Sequence, residues 1–81
     1  MELYQLRSFV TVAHEGHLTR AAKRLYISQP AVSAHIKALE EEFGCKFFER
    51  IGRRNLRLTL AGERLFEFAN NLIQQQKELV E

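Results

Sequence analysis

Pro30, the only proline among 81 residues, constrains the fold of this chain more than any other position. Proline is tolerated in the first turn of a helix, where its missing N–H would have no intrahelical partner, and is excluded from a helix interior. A helix must therefore begin beside it, with Ser28 or Gln29 as the cap. Upstream, Ala21, Ala22 and Leu25 recur at helical spacing with Arg20, Lys23 and Arg24 on the other side, and Thr19 is well suited to cap that short helix. Only Tyr26-Ile27-Ser28 lies between the two, which leaves room for a tight turn. The neighbouring alanines allow a close helix crossing.

The helix that begins at Pro30 has two unlike faces. At about 100° per residue, Val32, Ile36, Leu39 and Phe43 share one side, which is expected to be buried. Pro30, Ser33, Ala34, Lys37 and Glu41 share the other, whose start carries short, hydrogen-bonding side chains instead of the long Glu and Lys of a solvated face. Such a surface suits something pressed closely against it. Gly44 supplies a C-terminal stop. Ahead of this pair, residues 2–15 place Leu3, Leu6, Phe9, Val10 and Ala13 on one stripe with Glu2, Arg7, Ser8 and Glu15 off it, and Gly16 ends that helix before a short His17-Leu18 connection.

After Gly44 the period changes. Residues 47–51 and 56–59 read as two strands flanking Gly52-Arg53-Arg54-Asn55, with Leu56 and Leu58 alternating with Arg57. This predicts a small hairpin with a basic tip. The net charge of +2 is modest, yet between positions 46 and 57 Lys46, Arg50, Arg53, Arg54 and Arg57 face Glu49 alone, so the remainder of the chain is net negative. Eight of the twelve cationic residues are arginine, whose forked donors suit phosphate and base edges. A polyanion is the partner class this implies. Thr59 can cap a last helix in which Leu65, Phe68, Leu72 and Leu79 form one stripe and Phe66, Ala69, Ile73 and Val80 a second. That helix is too long and too apolar for a free tail. Pairing with another copy is expected to bury Leu65, Phe68, Leu72, Ile73, Leu79 and Val80, with Gln74-Gln75-Gln76 weakening the seam. Because the chain stops within the helix, it reads as the front of a longer protein.

Several function classes are disfavoured. A lone Cys45 makes no internal disulfide, and His14, His17, His35 and Cys45 lack the paired spacing of metal ligands, so no metal or cofactor is expected. The chain has no aspartate for a Ser-His-Asp arrangement, and its glutamates lie mainly on charged faces, so no catalytic residue and no enzyme activity are expected. Glu40-Glu41-Glu42 reads as a solvated helix end, and Phe43, Phe47 and Phe48 read as core. No signal-peptide pattern and no span of about 20 apolar residues is present, which points to a cytoplasmic, single small domain.

A short helix, a tight turn and a second helix that opens with small polar residues is the geometry that sends a helix N-terminus into the DNA major groove. Gln29 can pair with the adenine edge, Ser33 can serve base or phosphate, and Ala34 can touch a thymine methyl group. Lys37, one turn on, suits phosphate. Arg53 and Arg54 at the hairpin tip suit a narrow minor groove, and Arg50 and Arg57 at the strand ends suit phosphates. Either feature alone is usually a solvated surface; together they favour DNA.

These residues also carry a resemblance. Leu18-Thr19-Arg20-Ala21-Ala22-Lys23-Arg24-Leu25, then Ile27-Ser28-Gln29-Pro30-Ala31-Val32-Ser33, Ile36, Leu39-Glu40 and Gly44, with Phe48-Glu49-Arg50 and Leu58-Thr59-Leu60-Ala61-Gly62, resemble the N-terminal domain of LysR-type bacterial transcription regulators over essentially the whole chain. The resemblance implies a mainly α fold: a winged helix-turn-helix of three helices plus a two-stranded wing over residues 1–58, then a linker and dimerisation helix over 59–81. It implies Ser28, Gln29, Pro30, Ser33 and Ala34 at the major groove, Thr19, Arg20, Lys37 and Arg50 near phosphates, and Arg53 or Arg54 in the minor groove. It further implies a homodimer on double-stranded DNA with an interrupted palindromic site, and a small-molecule effector read by a C-terminal domain beyond this segment. The family often has Arg or Lys in place of Ala34 and Gln in place of His35. These two positions are therefore expected to read bases in a manner particular to this chain. The competing reading is a winged-helix module that uses the same face for protein–protein assembly.

Overall fold

The computed structural model describes residues 1–80, the side chain of Val80 excepted, so the seam position expected for Val80 lies outside the described residues. The order is α1 (Leu3–Glu15), α2 (Leu18–Leu25), α3 (Gln29–Phe43), β1 (Phe48–Ile51), β2 (Asn55–Leu58) and α4 (Leu60–Val80). The strands form one antiparallel hairpin in which Phe48 pairs with Leu58 and Ile51 with Asn55. Among the described residues, no helix is long and apolar enough to cross a membrane.

The predicted punctuation locates most helix ends. Gly16 and Gly44 stand in the left-handed conformation behind α1 and α3, each returning its N–H to the last turn. Ser28 caps α3, its Oγ accepting the Ala31 N–H at 3.2 Å, and Thr59 Oγ1 accepts the Gly62 N–H at 3.0 Å at the start of α4. Thr19, by contrast, lies inside α2. The cap is His17, whose Nδ1 accepts the Arg20 N–H, because the extended backbone that a cap needs falls two residues earlier. The other end of α2 has no glycine. Tyr26 takes the left-handed conformation itself, at φ 57°, with 95% of its surface exposed, a strain that costs an L-residue about 1 kcal/mol. The hairpin is displaced by one residue from expectation: Asn55 belongs to β2, Phe47 and Thr59 lie outside the strands, and the turn is Gly52-Arg53-Arg54.

The core is built around α1. Leu6, Phe9, Val10 and Val12 pack with Ala21, Ala22, Val32, Ile36 and Leu39, closed by Phe47, Leu65 and Ala69. Ser8 and Val12, off the expected stripe, are buried because α2, α3 and α4 all pack on α1 and leave it little open surface. Phe43 departs in the opposite sense, remaining 48% exposed beyond the end of the α3 contact. Leu65 and Ala69 lie in this same core and Ile73 packs against it, so α4 is a core element over its first turns. Leu65 is therefore taken up within its own subunit, while Phe68, Leu72 and Leu79 remain exposed, Leu79 at 87%.

The Lys46-Phe47 segment joins these layers. The Phe47 N–H donates to Glu40 Oε2 at 2.8 Å, its carbonyl accepts the Thr59 N–H at 3.0 Å, and Thr59 Oγ1 donates to the Lys46 carbonyl at 2.7 Å. Glu40 is thus a structural acceptor, unlike the solvated carboxylate its Glu-rich surroundings suggest. Gly62 lies directly against this strap, where an added Cβ would run into the Phe47 carbonyl and touch the Leu58 side chain. Gly62→Ala is expected to destabilise the fold by about 3 kcal/mol, the upper range for overpacking. A urea melt of the variant, compared with Ala61→Gly as a control on helix propensity, measures it.

Candidate nucleic-acid interface

The outer face of α3 forms one wall of an open groove. Gln29, Pro30, Ser33, Ala34 and Lys37 line it from the helix, Phe48, Arg50 and Leu56 from the hairpin, and Leu18 from the start of α2. The hairpin stands as the opposite wall because the Leu56 N–H donates to the Gly16 carbonyl at 2.9 Å, fixing β2 to the corner between α1 and α2. A second concavity continues from the first, sharing Leu18, Gln29 and Arg50 and adding His17, Thr19, Arg53 and Arg54. The first turns of α3, Thr19 and the wing arginines therefore share one continuous surface. Among the described residues no carboxylate lines its wing end, and Glu40 with Lys46, 3.7 Å apart, closes the other.

Four of the expected positions, Ser28, Arg20, His35 and Arg57, line neither concavity. His35 is separated from Ser33 by roughly 200° around the helix, which turns it toward α1. Its Nδ1 lies 2.7 Å from Ser8 Oγ, and the Tyr4 ring meets it edge-on with centroids 4.8 Å apart. His35, expected at the bases, thus lies on the α1 side of α3 and fastens the back of that helix. Arg57 is directed to the other side of the hairpin from Arg50, since neighbouring strand residues alternate, and it pairs with Glu49 across the strands at 2.8 Å. Arg57, expected like Arg50 at phosphates, therefore stands on the opposite face of the hairpin from it. Arg20 is exposed but outside both concavities. Ser28 has its oxygen engaged in capping α3 and its hydroxyl hydrogen available.

His17 and Phe48 are among the residues of this surface that their sequence context did not place there. His17 was expected only as connection, and Phe48 only as core, although both line the groove. For His17 a signal existed, because a polar side chain immediately before a helical run is a cap candidate. For Phe48 none did, since a half-buried aromatic in a strand looks the same whether its open edge faces a groove or bulk solvent.

A second exposed feature lies away from the groove. Phe43, Phe68 and Met1 surround an almost wholly apolar depression floored by Phe47, Ala61 and Leu65, and the exposed Leu72 extends α4 beyond it.

Residues 3–63 match the family model described as bacterial regulatory helix-turn-helix protein, lysR family. The chain is 53% identical over 73 residues to the HTH-type transcriptional regulator BudR of Klebsiella aerogenes, an alignment covering 90% of this chain and 50% of that protein. It is 47% identical over 73 residues to the HTH-type transcriptional regulator ClcR of Pseudomonas putida, covering 90% of this chain and 24% of that protein. The chain therefore spans about half the length of the first relative and about a quarter of the second. Among solved structures, the BenM_DBD/catB site 1 DNA complex superposes with a TM-score of 0.92 at 40% identity, covering 99% of this chain and 88% of that one. The CbnR_DBD–DNA complex superposes with a TM-score of 0.88 at 37% identity, covering 96% and 88%.

Loss of the His35 ring leaves the Ser8 hydroxyl buried without its partner and removes the Tyr4 contact. His35→Ala is expected to cost about 1–3 kcal/mol in chemical denaturation. If the substitution left stability unchanged, the fastening role would fail.

Proposed function

The chain belongs to the lysR family of bacterial regulatory helix-turn-helix proteins, and from that premise we propose that it is the sequence-specific DNA-binding part of a transcription regulator. The observation that carries this reading is the continuous groove in which the small polar face of α3 meets Arg50 and the wing arginines. Two relatives of the same fold are described in complexes with DNA, and two others are named as transcriptional regulators.

On this reading the first turns of α3 enter the major groove. Gln29 presents its paired donor and acceptor to an adenine edge, Ser33 bonds a base or phosphate, and Pro30 and Ala34 give close apolar contact to thymine methyl groups. Lys37, Arg50, Thr19 and the Ser28 hydroxyl meet phosphates that set the depth of the helix, with Arg20 a peripheral contact. Arg53 and Arg54 enter the adjoining minor groove, where a narrow groove concentrates negative potential. Arg57, already paired with Glu49, adds less than Arg50. The surface carries no catalytic assignment and needs no cofactor.

Residues 1–58 act as the reading unit and residues 59–81 as the dimerising helix, whose first turns also complete the core. The exposed apolar side chains of Phe68, Leu72 and Leu79 are covered by a second copy, and the homodimer places its two α3 helices on the halves of an interrupted palindrome in the cytoplasm. A small-molecule effector acts through a further domain, in keeping with the chain's spanning only part of its relatives' length.

Duplex binding is expected to weaken linearly on a log–log plot against salt, with a slope of about −0.9 for each phosphate neutralised; a flat response would favour a protein-binding use of the same face. Gln29→Ala should cost about 1–3 kcal/mol on the preferred duplex and relax one base position, whereas Arg50→Ala should weaken all duplexes alike and reduce the salt slope by about one. Arg57→Ala should do neither to the same extent. In sedimentation, the chain should run as a dimer and the combined Leu72→Glu and Leu79→Glu variant as a monomer.

A further inference from the structure

We infer that His17 is an additional phosphate-backbone contact of the DNA-binding surface, donating a hydrogen bond from Nε2 beside the wing. The inference rests on the DNA-binding reading and adds to it a residue outside the helix-turn-helix and wing contacts named above. His17 is half-buried at the corner between α1 and α2. Its ring lines the same concavity as Arg50, Arg53, Arg54, Thr19 and Gln29.

The protein fixes both the position and the donor pattern of this ring. Gly16, immediately before it, accepts the Leu56 N–H at 2.9 Å, so the backbone of the corner is fastened to the wing. Nδ1 is turned back to α2, where it accepts the Arg20 N–H at 3.4 Å. A neutral imidazole carries one N–H and one acceptor nitrogen, so with Nδ1 accepting, the hydrogen resides on Nε2. Among the described residues nothing takes that hydrogen, which leaves it for a partner seated in the concavity that His17 lines.

The surroundings select the acceptor. The charged groups that line this concavity with His17 are Arg50, Arg53 and Arg54 of the wing, all cations. Glu15, the nearest carboxylate in sequence, is engaged by Arg24 at 2.8 Å. Donors of this kind around one open concavity are complementary to an anionic oxygen, and a duplex seated on α3 and the wing supplies phosphates there. The contact is to backbone, because the neighbouring arginines address phosphate and minor groove and the base-reading turns belong to α3. His17 is in this sense a depth gauge between the two grooves.

The experiment separates capping from contact. His17→Asn and His17→Ser each retain an oxygen able to cap α2, but both side chains are too short to carry a donor to the position of Nε2 in the concavity. Both should melt at the wild-type temperature and bind duplex DNA about tenfold more weakly, by the same factor on a duplex selected from a random pool and on an unrelated one. Ethylation interference should add one wild-type phosphate whose modification no longer matters in either variant. Wild-type affinity in both variants, a loss confined to the selected duplex, or a loss that tracks a lowered melting temperature in both would overturn the assignment. Failure of the wild-type chain to bind any duplex would instead overturn the DNA-binding reading. Binding that Arg50→Ala weakens and the two His17 variants leave intact would overturn this inference alone.

Discussion

The strap formed by Lys46 and Phe47 is the constraint on which the rest of the structure depends. Its backbone is held by the Glu40 carboxylate from α3 and by Thr59 at the head of α4. Its Phe47 ring is buried edge-on against Phe9 of α1, with centroids 5.7 Å apart. A buried N–H left without an acceptor costs roughly as much as a hydrogen bond is worth. Glu40 therefore performs a service that a solvated glutamate could not. The strap sets where the hairpin leaves α3 and where α4 begins, and Gly62 is small enough to let α4 approach it.

With that junction fixed, the groove follows from one further bond. The Leu56 amide on the Gly16 carbonyl ties the hairpin to the far corner of the helical unit, so the wing is held at both its root and its second strand. Arg50, Arg53 and Arg54 are thereby presented beside the first turns of α3. The strand alternation that sends Arg50 to the groove sends Arg57 to the outer side, where Glu49 neutralises it. A basic segment that is uniform in sequence thus becomes two faces of different charge.

The same division of labour operates on α3 and α4. On α3, Val32, Ile36 and Leu39 enter the core, His35 fastens the helix to Ser8, and the small polar face stays exposed. On α4, Leu65 and Ala69 close the core while Phe68, Leu72 and Leu79 stay in water. A row of exposed apolar side chains along a helix is a surface suited to a further contact. The strained, fully exposed Tyr26 at the turn into α3 is a local conflict of a different kind, retained where the turn must be tight.

By itself the sequence determined the elements and their order. Pro30, Gly16 and Gly44 act through backbone geometry that depends on the residue alone, and the apolar spacing of α1, α3 and α4 is a one-dimensional signal. The groove-facing residues Gln29, Ser33, Lys37, Arg50, Arg53 and Arg54 were legible for the same reason, since each stands on the polar side of an element whose period is clear. Only the tertiary structure decided which polar residue answers to which neighbour. That His35 faces Ser8, that Arg57 answers Glu49, that Glu40 receives the Phe47 amide and that His17 joins the wing all depend on separations across the fold. A polar side chain carries no mark in sequence of the partner that packing will bring within about 3 Å of it; three-dimensional closure alone creates that distance.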